Sequence, residues 1–312
     1  MTGKRSVGTK SRSAGVAGIL LLSLLWSLGP LRSDLLPHAA QNPAPGLETP
    51  SILFALLALV SALWAVARHA EWPRGRDLWT IVFIGLGLFA APAVLVSLAE
   101  DRVSSLTRVA LFSLAPVFAV VFEPYLGSDV VGPARGALVA ALAAIAGTLC
   151  IFPLDAPGSL EGGAAFLGLI VAAALVAAAN CAAVRTAVKA RTVAPMIAVC
   201  CGAAAVILAV ANTSVSPHPW RTQGLDPLWL IAVELPSLLL LFWLMRRASA
   251  TAMSTRYLLA PLIAILVDMA ISRPLVTART WLGLSLVIGG AGWLLLARPA
   301  PSEDAGHPLN LT

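Results

Sequence analysis

Residues 246–268 read RRASATAMSTRYLLAPLIAILVD, and much of this stretch occurs twice. It opens on two arginines and continues through small and hydroxylated residues. An Arg–Tyr pair follows, then a proline and an apolar run. Sliding the chain by 145 positions lays Ser104 on Ser249, Ala115–Pro116 on Ala260–Pro261 and Ala119 on Ala264. The same shift lays Glu123 on Asp268 and Ala146–Gly147 on Ala291–Gly292, while a shift of 144 lays Pro92 on Pro236. Two related halves are the organisation that the rest of the sequence has to fit.

Composition says what kind of halves these are. Of 312 residues, 59% are hydrophobic and only 12% charged, with mean hydropathy +0.88. A soluble domain carries about 25% charged residues, so the expected class is an all-α polytopic membrane protein. Cys150, Cys181, Cys200 and Cys201 fall inside apolar runs, with neither metal spacing nor a disulfide pattern. The four histidines lie in connections or the tail, and no HExxH, P-loop or dinucleotide fingerprint occurs. No cofactor and no metal site are therefore expected. The net charge of +6 is explained by basic residues kept on the cytoplasmic side rather than by nucleic-acid binding.

Counting about 20 apolar residues per crossing gives ten spans: approximately 14–33, 49–68, 78–98, 103–123, 133–152, 162–184, 192–212, 226–245, 249–270 and 280–297. With the N-terminus in the cytoplasm, fourteen Lys and Arg residues fall on the inner side and five on the outer, while Arg108 and Arg256 stay within spans. That asymmetry supports the orientation and places both termini in the cytoplasm. The expected divisions are a disordered basic N-terminus (1–13), a first five-helix repeat (14–153), a second (154–298) and a polar tail (299–312). An odd number of spans per half makes the halves face opposite ways, as in many secondary transporters.

A charge at mid-membrane is costly and usually lines a cavity or meets a partner. Glu234 lies roughly 12 Å below the outer surface and Arg256 roughly 10 Å from the cytoplasmic face, so their depths differ by about 8 Å. This leaves two readings: a structural Glu234–Arg256 ion pair, or a pair of substrate-binding and coupling residues. A carboxyl in an apolar cavity suits proton coupling, the role assigned here to Glu234. Arg108 is shallow enough to snorkel to water. Glu123 and Asp268 lie near span ends, where interfacial solvation suffices. Asn180 is the amide deep in the sixth span, while Trp26 and Tyr257 combine an aromatic face with a polar tip. Pro92, Pro116, Pro236 and Pro261 bend their helices at matched places.

The segments SLAPVFAVVFEPYLGSDVVGPARGALVAALAAIAG (113–147) and LLAPLIAILVDMAISRPLVTARTWLGLSLVIGGAG (258–292) resemble the helix pair that closes each half of EamA-type transporters. That family belongs to the drug/metabolite transporter superfamily. The N-terminal LLWSLGP (24–30) is similar to its first helix. The family's turn Glu is Asp129 here in the first half and Arg273 in the second. The resemblance implies ten helices in two inverted repeats, with a central cavity built mainly from spans 1, 3, 4, 6, 8 and 9. It puts Trp26, Asn180, Glu234, Arg256 and Tyr257 on cavity-forming helices as the substrate-binding set. The expected function is a non-enzymatic secondary transporter of the bacterial cell membrane, an exporter of amino acids or related metabolites by alternating access. Its partners would be the metabolite, the bilayer and, in a homodimer, a second copy. The alternative is a polytopic enzyme acting on lipid-linked substrates; the sequence offers it neither an Asp-rich motif nor a His within a span.

Overall fold

The computed structural model describes residues 5–29, 47–126, 135–152, 154–190, 192–215, 229–272 and 277–296, and those residues fold into helices without strands. Seven helical stretches are long and apolar enough to cross a membrane, and three shorter apolar helices accompany them, at Ser13–Ser27, Gly136–Ile151 and Leu230–Leu244. This is the build of an α-helical polytopic membrane protein. Its outer surface carries rows of exposed apolar side chains, such as Leu56, Leu59, Val60 and Leu63 on a single helix. In water such a row would be a liability, and in lipid it is the ordinary solvent-facing surface.

In chain order the helices are α1 (Arg5–Ser27), α2 (Glu48–Ala67), α3 (Arg76–Gly85), α4 (Ala91–Leu98), α5 (Ser105–Phe112), α6 (Ala115–Leu126), α7 (Arg135–Ile151) and α8 (Leu160–Lys189). They continue as α9 (Ala194–Val215), α10 (Leu235–Leu244), α11 (Ala250–Ser254), α12 (Arg256–Ser272) and α13 (Ala278–Leu296). Helix α1 begins at Arg5, so the basic segment expected to be disordered is largely part of the first helix. The turn residues Asp129 and Arg273, the side chain of Asp268 and the tail 299–312 lie outside the described residues.

Two π-helical segments interrupt the α pattern, Leu86–Ala90 between α3 and α4, and Leu230–Glu234 ahead of α10. Each closes with an i→i−5 hydrogen bond, from Ala91 N–H to the Leu86 carbonyl and from Leu235 N–H to the Leu230 carbonyl. These positions are 144 residues apart, and each precedes its proline, Pro92 or Pro236, by the same spacing. A proline ring clashes with the carbonyl four residues earlier and supplies no N–H. The widened turn relieves that clash while keeping the neighbouring carbonyls bonded, which matters where no water can substitute.

The apolar stretches Ser105–Leu126 and Ala250–Val267 are each interrupted by a short turn. Ser104 caps α5 by accepting from the Thr107 N–H, and Ser249, 145 positions later, caps α11 by accepting from the Ala252 N–H. The first break falls at Ser113–Leu114 and the second at Thr255, about one turn earlier in the repeat frame. Side chains also bond back to the carbonyls around the second interruption. Ser254 Oγ donates to Ala250 O, Thr255 Oγ1 to Ala252 O and Arg256 Nη1 to Met253 O.

Small residues set the helix contacts, as expected where lipid gives helices no hydrophobic reason to associate. Helices α7 and α13 meet at Gly147 and Gly283, and α2 and α9 are joined by a Ser51 hydroxyl donating to Ala205 O at 3.2 Å. A Cβ on Gly283 would stand 2.7 Å from the Gly147 carbonyl oxygen, whereas one on Gly292 would meet nothing within 4 Å. Overpacking of this kind costs about 1–3 kcal/mol. Gly283→Val is therefore expected to lower the thermal unfolding midpoint in detergent, and Gly292→Ala to leave it unchanged. Equal midpoints for the two variants would mean that the α7–α13 contact is not close-packed.

Candidate functional site

The break between α11 and α12 makes Arg256 the first residue of a helix in the middle of the protein. Its side chain is 0% exposed. Nη2 donates to Asn180 Oδ1 on α8 at 3.4 Å and to Tyr257 Oη at 3.2 Å, and Nη1 donates to Met253 O at 3.1 Å. Two aromatic faces complete the enclosure, with the guanidinium carbon 4.9 Å from the Trp26 ring centroid and 4.8 Å from that of Tyr257. The Trp26 and Tyr257 rings meet edge to face, 5.6 Å apart at 72°. Four of the five residues expected to bind substrate, Trp26, Asn180, Arg256 and Tyr257, are thus in mutual contact, drawn from three separate helices.

The charge of Arg256 is not matched by a carboxylate. Among the described residues none lies within 4 Å of its guanidinium; the ion pair that does form is Arg102–Glu161, at the surface. Its Nε–H is buried and has no acceptor. A buried cation costs several kcal/mol unless paired. Cation–π contacts give back about 2 kcal/mol or more each when desolvated. Three acceptors and two ring faces hold the group in place, while one strong donor and the net charge remain unanswered. Chemically, that leaves a buried positive charge and an N–H donor uncompensated among the described residues.

Glu234 is not the partner of Arg256, so the structural ion pair open to the sequence is not formed. It sits on the second π segment, where its Oε1 accepts from Trp229 Nε1 at 3.3 Å. The depth estimate assumed an unbroken α-helix. The π turn changes the direction in which the side chain leaves the axis, and Arg256 is tied by its carbonyl contact to the break and by Asn180 to α8. The segment bearing Glu234 still packs on α1, the helix that carries Trp26.

Three contacts were not foreseen. Phe112 stacks on Tyr257, ring centroids 6.0 Å apart at 24°, and the two are 145 residues apart. Their matched positions were the signal that could have found the pair. Ser254 receives Asn180 Nδ2 at 3.5 Å and so holds the amide with its oxygen toward Arg256. Glu123 accepts a short hydrogen bond from Thr251 Oγ1, which ties α6 to α11. Interfacial water alone was expected to satisfy this carboxylate; it has a protein donor.

Arg108, on α5, also has a buried Nε with no acceptor. Asp155 bonds instead to the start of the same helix. Asp155 Oδ2 accepts from Ser104 Oγ at 2.6 Å and from Thr107 Oγ1 at 3.5 Å.

No protein-family model and no curated protein matches the chain. Solved structures do. One described as "Crystal structure of protein" superposes with a TM-score of 0.67, at 19% identity over 91% of this chain and 99% of that chain. At that identity the likeness is one of fold.

Asn180 can be tested by stability alone. Asn180→Leu removes an acceptor from a buried cation, a loss worth about 1–3 kcal/mol. It is expected to lower the detergent unfolding midpoint clearly, and Tyr257→Phe, which keeps the ring face, to lower it less. A midpoint for Asn180→Leu equal to that of the parent would mean that Asn180 does not hold the guanidinium.

Proposed function

We propose that the chain is a secondary active transporter of the EamA type. It has ten membrane helices in two inverted five-helix repeats and moves a small metabolite with an anionic group by alternating access. The carrying observation is Arg256, wholly buried, with an unanswered Nε–H and, among the described residues, no carboxylate beside it. Seven long and three shorter apolar helices support ten crossings. The matched caps, matched π segments and the stacking of Phe112 on Tyr257 support related halves facing each other across the centre. Arg256 holds the carboxylate or other anionic group of the substrate, Tyr257 and Trp26 pack beside it, and Asn180 fixes the guanidinium. Glu234 couples the cycle to protons or receives a substrate amine. The protein works as an exporter in a bacterial cell membrane, with both termini in the cytoplasm.

The test is flux in reconstituted vesicles, using a panel of labelled amino acids and simple carboxylates. Losing a charge-assisted contact of about 2 kcal/mol corresponds to roughly 30-fold, the drop expected for Arg256→Ala, with Arg256→Lys intermediate. Glu234→Gln is expected to abolish the response of flux to an imposed pH gradient. Wild-type flux in Arg256→Ala would end this reading.

A further inference from the structure

The two arginines kept within spans stand on either side of one aromatic contact. Arg108 and Phe112 are four residues apart on α5 and so share a face of that helix. Phe112 stacks on Tyr257 at 6.0 Å, and the Arg256 guanidinium lies 4.8 Å from the other partner's ring. The order in space is Arg108, Phe112, Tyr257, Arg256. Given the orientation adopted above, Arg108 lies about 6 Å inside the outer face and Phe112 about 12 Å, at 1.5 Å of rise per residue.

Arg108 is an uncommon residue to leave there without a counterion. Its Nε is buried and unbonded, and among the described residues no carboxylate lies within 4 Å of its guanidinium. Asp155 is bonded by the hydroxyls of Ser104 and of Thr107, the residue before Arg108, and Glu161 is paired with Arg102 at 3.3 Å. The repeat does not require an arginine at this place, since its counterpart at the 145 shift is Met253. What the repeat does supply is the stack, because Phe112 and Tyr257 are each other's counterparts.

We propose that Arg108 is an outer capture residue for the anionic group of the ligand. The Phe112–Tyr257 stack is the barrier that the ligand crosses between Arg108 and Arg256. This rests on the central anion site proposed above and adds to it a second station and the gate between them. A fixed cation at the mouth of a low-dielectric passage raises the local concentration of anions, and so acts on the rate of arrival. A stack of two rings acts on access without regard to charge. The two roles therefore leave different signatures.

The experiment uses the full chain in right-side-out spheroplasts, with the four native cysteines replaced by alanine and Ser254→Cys as reporter beside Asn180 and Arg256. Two membrane-impermeant thiol reagents of similar size are applied from outside, one bearing a sulfonate and one a quaternary ammonium. Arg108→Gln is expected to slow the sulfonate reagent about tenfold in low salt, an effect that shrinks in high salt, without slowing the ammonium reagent. Arg108→Lys should keep the parental rates. Phe112→Ala and the milder Phe112→Leu should speed both reagents by the same factor. Size-exclusion profiles of the purified variants check folding. Equal loss with both reagents in Arg108→Gln would make Arg108 structural, and unchanged or absent labelling in both Phe112 variants would remove the barrier. Either result overturns the proposal while leaving the vesicle test of Arg256 standing. Wild-type flux in Arg256→Ala with these labelling patterns intact would overturn the central site instead.

Discussion

Inside an apolar layer a helix cannot be interrupted unless its own side chains answer the carbonyls that the interruption frees. The centre of this protein is built on that constraint. At the break after α11, Ser254 and Thr255 bond back to Ala250 and Ala252, and Arg256 bonds back to Met253. One sequence feature, Ser-Thr-Arg, thus ends a helix, restarts it and fixes a guanidinium in the interior. The contacts to Asn180, Tyr257 and Trp26 follow from where that break falls.

The two stretches related by the 144–145 shift match in their scaffold features and differ in their buried polar residues. Both carry a serine cap, a π turn ahead of a proline and a broken span. Within those shared devices the counterpart of Arg256 is Leu111, that of Glu234 is Ala90, and that of Arg108 is Met253. The break itself is displaced by about a turn between the halves. A symmetric frame with asymmetric polar residues is what a protein needs if both faces open by similar motions but one ligand is held in one orientation.

The spans were legible in the sequence because a bilayer demands length and apolarity, and both can be counted. The duplicated prolines were legible because the 144–145 shift aligns them; Ser104 and Ser249 aligned too, but their capping role was not read from the sequence. Arg256 and Asn180 could be singled out as polar groups deep in their spans, and Trp26 and Tyr257 as aromatics with a polar tip, while their grouping came from the family resemblance. Rotation about the helix axis could not be read. The π turn beside Glu234 alters it by a residue, and no hydropathy count carries that information. Contacts between helices, such as Thr251 with Glu123 or Ser254 with Asn180, were hidden for the same reason: each partner alone is an ordinary polar residue near a span end or a break.

The surroundings of Arg256 also explain why aromatic rings stand where a carboxylate could have stood. A carboxylate would engage two guanidinium donors at once and neutralise the charge. An incoming anion would then have to break a buried ion pair, a loss of about 3–5 kcal/mol. A ring face attracts the cation without occupying its N–H groups. Trp26 and Tyr257 therefore help a charge survive burial while leaving Nε–H able to donate, and Asn180 keeps the group aimed without cancelling it. The rings thus stabilise the cation while leaving its charge uncancelled, which is the property that the proposed anion site requires.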